Sequence, residues 1–262
     1  MYLKGGLGNQ MFQYAFGRAE SLQKDTSLKL DLSDLLFPLL FRSKETPRTY
    51  KLDHFNIKAE VITPKRRPLI RQLVRKAYEK IIKKERNFQS EKYFKEYEDI
   101  IRADFSLKES LSEKAAFMEE QIHSSSSPVS VHVRRGDYIT DIATALYHGA
   151  LPLSYYEASM KEMNNRIPDA TFIIFSDDIE WAKENLPVSQ HAIFVSDKTL
   201  QDYEELILMS KCMHHIIANS SFSWWGAWLN ANEGKMVIAP KRWFATQTAD
   251  ASVMMPAEWM RI

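Results

Sequence analysis

Apolar and polar positions follow two rhythms along this chain. After GGLGNQ, the stretch MFQYAFGRAESLQK places Met11, Phe12, Ala15, Phe16, Ala19 and Leu22 at helical spacing. Gly5, Gly6 and Gly8 suit a tight turn with close backbone approach. A strand, a glycine turn and a helix open an α/β unit, and SLKLDLSDL (27–35) then alternates as a strand does.

From residue 128 the pattern becomes regular. PVSVHV reads as a strand, LPLSYYEASMKEMNNRI as a helix and ATFIIFS (170–176) as a nearly continuous apolar strand. Such a run belongs in a parallel sheet covered on both faces. IEWAKENL, LQDYEELILMSKCM and SSFSWWGAWLN read as helices, with strands HAIFVS (191–196), HHIIAN (214–219) and KMVIAP (235–240) between and after them. The alternation predicts right-handed crossovers and a doubly wound, Rossmann-like sheet of about five strands. SSSSP at 124–128 reads as a linker or exposed turn. The expected domains are therefore 1–127, an α/β domain, and 128–262, the Rossmann-like one; 262 residues hold two such domains comfortably.

Residues 64–86, PKRRPLIRQLVRKAYEKIIKKER, carry ten basic and two acidic residues around an apolar stripe of Leu69, Ile70, Leu73, Val74, Ala77 and Ile81. This predicts a basic amphipathic helix. A solvated face is its plainer reading, and peripheral contact with an anionic membrane its functional one. The rest of the composition is ordinary: net charge +1 gives no sign of a nucleic-acid partner, and a lone cysteine, Cys212, forms no intrachain disulfide. No apolar run reaches the ~18–20 residues that span a bilayer. A soluble cytoplasmic protein is expected.

Open parallel sheets bind ligands at the carboxyl ends of their strands. Three polar clusters fall there: His132-Val133-Arg134-Arg135-Gly136-Asp137, Ser176-Asp177-Asp178 and Asn219-Ser220-Ser221-Phe222-Ser223. A guanidinium matches a phosphate in bidentate fashion, and a serine-bearing helix N-terminus adds N–H donors for the same anion. A diphosphate over the strand end would explain Arg134; an ion pair with Asp137 is the competing explanation. Asp177 with Glu180 three residues on reads first as a helix cap. Trp224, Trp225 and Trp228 read as packing, and His214 and His215 as structural. Neither an Asp-x-Asp after a strand nor a GxGxxG is present, which weakens a metal-dependent sugar transferase and a dinucleotide oxidoreductase.

Together, KGGLGNQMFQYAFGRA, VHVRRGDYI, FIIFSDD and IIANSSFSWWGAWL resemble, in order, the motifs of glycosyltransferase family 11, the α-1,2-fucosyltransferases. The resemblance is thin over 36–127. It implies an α/β, GT-B-like fold, with two Rossmann-like domains facing a central cleft. The implied reaction is inverting and metal-independent transfer of fucose from GDP-β-L-fucose to the 2-OH of a terminal galactose, with no cofactor. By the wider likeness to other fucosyltransferases, His132 would touch the guanosine, Arg134 the β-phosphate, and Ser221 and Ser223, in the stretch Ser220–Ser223 that includes Phe222, the diphosphate. Glu205, where the family usually has aspartate, would hold the guanine edge; Gly8, Asn9 and Gln10 would line the cleft near the fucose. Asp177 and Asp178 join the donor side. Fixed positive charge, chiefly Arg134, would stabilise the departing GDP. Asp137 is the first candidate base and Asp141 the second. The rival reading is a non-catalytic binder of nucleotide sugar or glycan, or a fucosyltransferase of another linkage such as α-1,6.

Overall fold

The computed structural model describes residues 1–37, 48–65, 69–70, 73–74, 77, 88–188, 191–245 and 253–262. The chain divides into two compact units, Met1–Ser110 and Leu111–Ile262.

In the first unit the glycine turn leads into α1 (Leu7–Gln23), followed by β1 (Lys29–Asp31), α2 (Ser33–Leu36), β2 (Glu60–Ile62) and α3 (Glu98–Asp104). β1 and β2 pair in parallel, and a single parallel bridge from Tyr2 to Asp31 stands where a first strand was expected. The helical spacing of α1 buries Met11, Phe12, Ala15 and Ala19. Tyr14 donates to Asp104 (2.6 Å), which also accepts from Arg18 Nε (2.9 Å), so the one buried carboxylate of α3 is paired. Of the basic helix expected at 64–86, residues 69, 70, 73, 74 and 77 are helical, and Leu69, Ile70, Leu73 and Val74 are exposed. Much of that stretch lies outside the described residues.

The second unit contains α4 (Glu113–Ser124), β3 (Ser127–Val133), α5 (Gly136–Thr140), α6 (Ile142–Tyr147), α7 (Leu153–Arg166), β4 (Ala170–Ser176), α8 (Ile179–Asn185), β5 (Ile193–Phe194), α9 (Asp202–Lys211), β6 (His214–Ile216), α10 (Ser221–Leu229), β7 (Val237–Ala239) and β8 (Met260–Arg261). All six strands are parallel, in the order β5-β4-β3-β6-β7-β8. Counted within the unit this is 3-2-1-4-5-6, the Rossmann order, whose direction reverses between β3 and β6. The period of two along β4 sends Phe172 and Ile174 to one face, against Tyr156, Met160 and Met163 of α7. It sends Ile173 and Phe175 to the other, against Ala115 and Ile122 of α4 and Leu208 and Met209 of α9. Both faces are covered, hence the unbroken apolar strand.

Two expectations change. The division falls at residues 110/111 rather than 127/128, because α4 buries Ala115 and Ile122 against the second unit's sheet. The serine run is the turn between α4 and β3. The sheet also has six strands, not five, since β8 adds a two-residue edge. Trp224, Trp225 and Trp228 are buried in mutual contact, as the packing reading expected. His215 is equally structural. Asn230 Nδ2 donates to its Nε2 (2.8 Å), so Nδ1–H donates to Ser130 Oγ (2.7 Å) and the buried ring is held neutral.

Candidate functional site

The three polar clusters meet at the carboxyl edge of this sheet, around the reversal between β3 and β6. β3 delivers the arginines. Arg134 Nη2 donates to Asp137 Oδ1 (2.6 Å) and Nη1 lies 2.9 Å from Asp177 Oδ2. Both candidate explanations for Asp137 and Asp177 therefore resolve into one ion-pair group, and the cap of α8 is Asp178, whose Oδ1 accepts from Trp181 N. Burial opposes the Arg134 charge, but Asp177 and Asp137 hold its pKa above the ordinary value. Of its five N–H donors, two are used in these contacts, so the carboxylates orient the fork and leave donors for a ligand. Arg135 is held differently: Nε donates to Asp178 (3.0 Å) and the guanidinium lies 3.9 Å from the centre of the Trp181 ring. Gly136 is required here. A Cβ would sit 2.4 Å from Asp177 Oδ2, so any side chain would push Asp177 off Arg134.

On the other side of the reversal, α10 begins with the serines. Ser220 caps it, accepting from Phe222 N (3.3 Å). Ser221, its first residue, is half-buried, and its hydroxyl has no partner among the described residues. Ser223 is fully buried and donates back to Ala218 O and Ser220 O (3.4 and 3.3 Å). Its expected place on a diphosphate is corrected to a role inside the helix turn. The Phe222 ring lies 5.5 Å from that of His132. His132 is buried, its Nδ1 has no partner, and burial with the nearby Arg134 charge drives its pKa down to about 3. It is a neutral ring at the base of the site.

Glu205, on the first turn of α9, joins the cluster electrostatically. Burial raises its pKa to about 7 from the carboxylate value; a hydrogen bond with Ser196 opposes the rise, and the charges of Asp202 and Asp177 add to it. The Ser196 hydroxyl also accepts from Ser176 N (2.9 Å), tying the guanine candidate to the end of β4.

Asp141 accepts from Thr144 N (2.7 Å) and caps α6. In the first unit, Gly8 is buried within α1 and Asn9 Oδ1 accepts from Gln89 Nε2 (2.6 Å). Gln10 is fully buried: Nε2 donates to Gly5 O and Thr49 O, and Oε1 accepts from Lys51 N. Its expected place lining a cleft is corrected to a staple between loops.

The sequence reading missed a group of rings beside Arg134. Tyr138 lies under the guanidinium (5.5 Å) and stacks on His148 (5.0 Å, 7°). Tyr147 and Phe244 border the same imidazole at 4.8 and 5.6 Å. The only advance signal was the dipeptide His148-Gly149 closing a helical stretch.

A parallel sheet in this order, covered by helices on both faces, is the α/β architecture of GT-B glycosyltransferases. The Arabidopsis thaliana FUT1 mutant structure in complex with GDP supports that fold, with a TM-score of 0.52 and 12% identity over 99% of this chain and 75% of that one. The chain belongs to glycosyl transferase family 11, whose model matches residues 1–262. Among its relatives, an Alpha-1,2-colitosyltransferase of Escherichia coli is 33% identical, covering 99% of this chain and 97% of the relative. The O-antigen biosynthesis glycosyltransferase WbnK of Escherichia coli is 32% identical over 93% and 94%.

Proposed function

We propose that this glycosyltransferase moves L-fucose from GDP-β-L-fucose to the 2-hydroxyl of a terminal galactose, with inversion and without a metal ion. The observation that carries the reading is the position of Arg134 and the Ser221 end of α10 across the β3/β6 reversal. A diphosphate between them would meet the remaining guanidinium donors on one side and helix N–H groups on the other. Negative charge grows on the leaving diphosphate as its bond to the sugar breaks, and donors already fixed by Asp137 and Asp177 stabilise that charge without reorganising. Glu205 would accept from the adjacent N1–H and N2–H₂ of guanine.

The relative named as an Alpha-1,2-colitosyltransferase favours a second donor reading, a nucleotide-linked colitose in place of fucose. Colitose is fucose without its 3-hydroxyl, so the two donors differ by a single polar group. Turnover of GDP-fucose and GDP-colitose, each with lactose present and absent, tests both readings. Acceptor-dependent release of GDP from GDP-fucose supports the first; release from GDP-colitose alone supports the second. Saturable binding of both with no acceptor-dependent release identifies a binder. Activity is expected to survive EDTA, and loss in chelator restored by manganese or magnesium would overturn metal independence.

A further inference from the structure

We propose that His148 takes the proton of the attacking acceptor hydroxyl, and that Tyr147 and Phe244 form the wall against which the acceptor sugar lies. The inference rests on the glycosyl-transfer reading above and assigns its missing base. Both carboxylates expected for that task already have other partners: Asp137 holds Arg134, and Asp141 caps α6.

His148 is held beside the arginine fork. Its ring stacks on Tyr138, the residue under Arg134, and it feels the charges of both Asp137 and Arg134. The backbone around it is fixed from several sides. Asn219 Nδ2 reaches His148 O, Gly149 O and Trp243 O at 3.1, 3.0 and 3.2 Å. Ala245 N donates to Tyr147 O at 2.9 Å, and Tyr138 donates through its hydroxyl to Asn219 O at 3.0 Å. Gly149 turns the chain at φ +68°, a conformation that favours glycine. Such preorganisation suits a group that must meet a substrate in one orientation.

The imidazole is also chemically conspicuous. Its Nδ1 is buried without a partner among the described residues, and leaving a buried polar atom unsatisfied is destabilising. A phenylalanine would fill the same stack without that cost; what the imidazole adds is its other nitrogen, Nε2. Burial lowers its pKa; Asp137 opposes the change and Arg134 reinforces it. The shift favours the neutral ring, the form that can accept a proton. Tyr147 is about half exposed and Phe244 partly so, and the apolar C–H face of a galactose packs well on such rings. In the step, the acceptor oxygen bonds to the anomeric carbon of the donor sugar. The bond from that carbon to the β-phosphate oxygen breaks, its electron pair leaving on GDP. The hydroxyl proton passes to Nε2.

The test compares wild type with His148→Phe and His148→Gln by GDP calorimetry, thermal unfolding, and kcat and KM for lactose across pH. His148→Phe should bind GDP as wild type does and be no less stable, while kcat falls by about 10²–10⁴ and the acid limb of the wild-type kcat profile disappears. His148→Gln should recover KM but not kcat, since an amide can hydrogen-bond but cannot hold the proton. Tyr147→Ala and Phe244→Ala should raise KM for lactose with GDP affinity unchanged. Transfer by His148→Phe within a few-fold of wild type would overturn the assignment, as would a parallel loss of GDP affinity. Absence of any fucosyl product from wild type would instead overturn the donor and acceptor reading, and this assignment with it.

Discussion

If Glu205 holds guanine, donor binding must be coupled to its proton. The carboxyl is buried, and its pKa stands near 7 instead of 4.5. The folded state therefore binds this proton more tightly than the unfolded chain does. The linked stability is fully present below about pH 4.5 and is lost as pH rises to 7; the shift corresponds to about 3 kcal/mol. Guanine offers two donors and needs the ionised carboxylate. With a pKa near 7, the ionised fraction is about nine-tenths at pH 8 and one-tenth at pH 6, so donor affinity should fall about tenfold between them, or about 1.4 kcal/mol. GDP-fucose is the suitable ligand, because its diphosphate has no group titrating in that window. Calorimetry at pH 7 in buffers of different ionisation heat should show about half a proton released per GDP-fucose bound. Glu205→Gln sets an amide donor against a guanine donor. It should bind about 5–150-fold more weakly at pH 8 and lose both the pH dependence and the proton release. The same variant without ligand should be more stable than wild type at pH 8, since no charge is buried. A wild-type affinity that is flat from pH 6 to 8, or one whose slope survives in Glu205→Gln, refutes the contact; Asp202 is then the next residue to replace.

Arg134→Lys should lower kcat/KM by about 10²–10³, some 2.7–4 kcal/mol, because a single ammonium cannot span Asp137 and Asp177 and still face a phosphate; Arg135→Lys should lose far less, and equal losses would refute the distinction. Acid should destabilise the fold below pH 6.5: His132 and His215 are held neutral with depressed pKa values, so the unfolded chain gains protons first. Each contributes about 1.4 kcal/mol of lost stability per pH unit, partly offset by Glu205; urea midpoints that do not move between pH 6.5 and 5 would contradict this. Leu69, Ile70, Leu73 and Val74 stand exposed in a stretch rich in Lys and Arg, so sedimentation with anionic vesicles at low salt should exceed that with neutral ones and fall in Ile70→Glu/Val74→Glu. Equal, negligible sedimentation with both removes the membrane contact.

The sheet was legible because a doubly covered parallel strand must be apolar throughout, and ATFIIFS and VSVHV are. Their polar exits then had to lie on one edge, which brought Arg134, Asp177 and Ser221 together on paper. The domain boundary was not legible, since α4 is only weakly amphipathic and SSSSP looks like a linker whichever unit the helix joins. β8 is two residues long and leaves no periodicity to detect. His148 escaped because its neighbours Tyr138 and Phe244 are 10 and 96 residues away, and only the folded chain brings the three rings together.

The motifs also mix two kinds of polar residue that spacing cannot separate. Gln10, Gln13, Asn219 and Ser223 look as chemical as any in the chain, yet Gln13 and Ser223 give their donors to nearby carbonyls, Gln10 gives its own to Gly5 O and to Thr49 O 39 residues away, and Asn219 gives its amide to a loop 70 residues away. Arg134, Ser221, Glu205 and His148 sit among them with donors or acceptors still available. The division follows what lies within reach: a buried amide or hydroxyl beside a loop or its own turn finds a carbonyl, and Arg134 at the end of β3 keeps spare donors. The long motif GGLGNQMFQYA is accordingly dominated by residues that build the first helix and its turn. The short exits after β3 and β6 are where unsatisfied donors collect. Asn219 links the two kinds. It precedes the serines of α10 in sequence, but its amide holds the loop bearing His148, so one residue couples the proposed phosphate end of the site to the proposed acceptor wall.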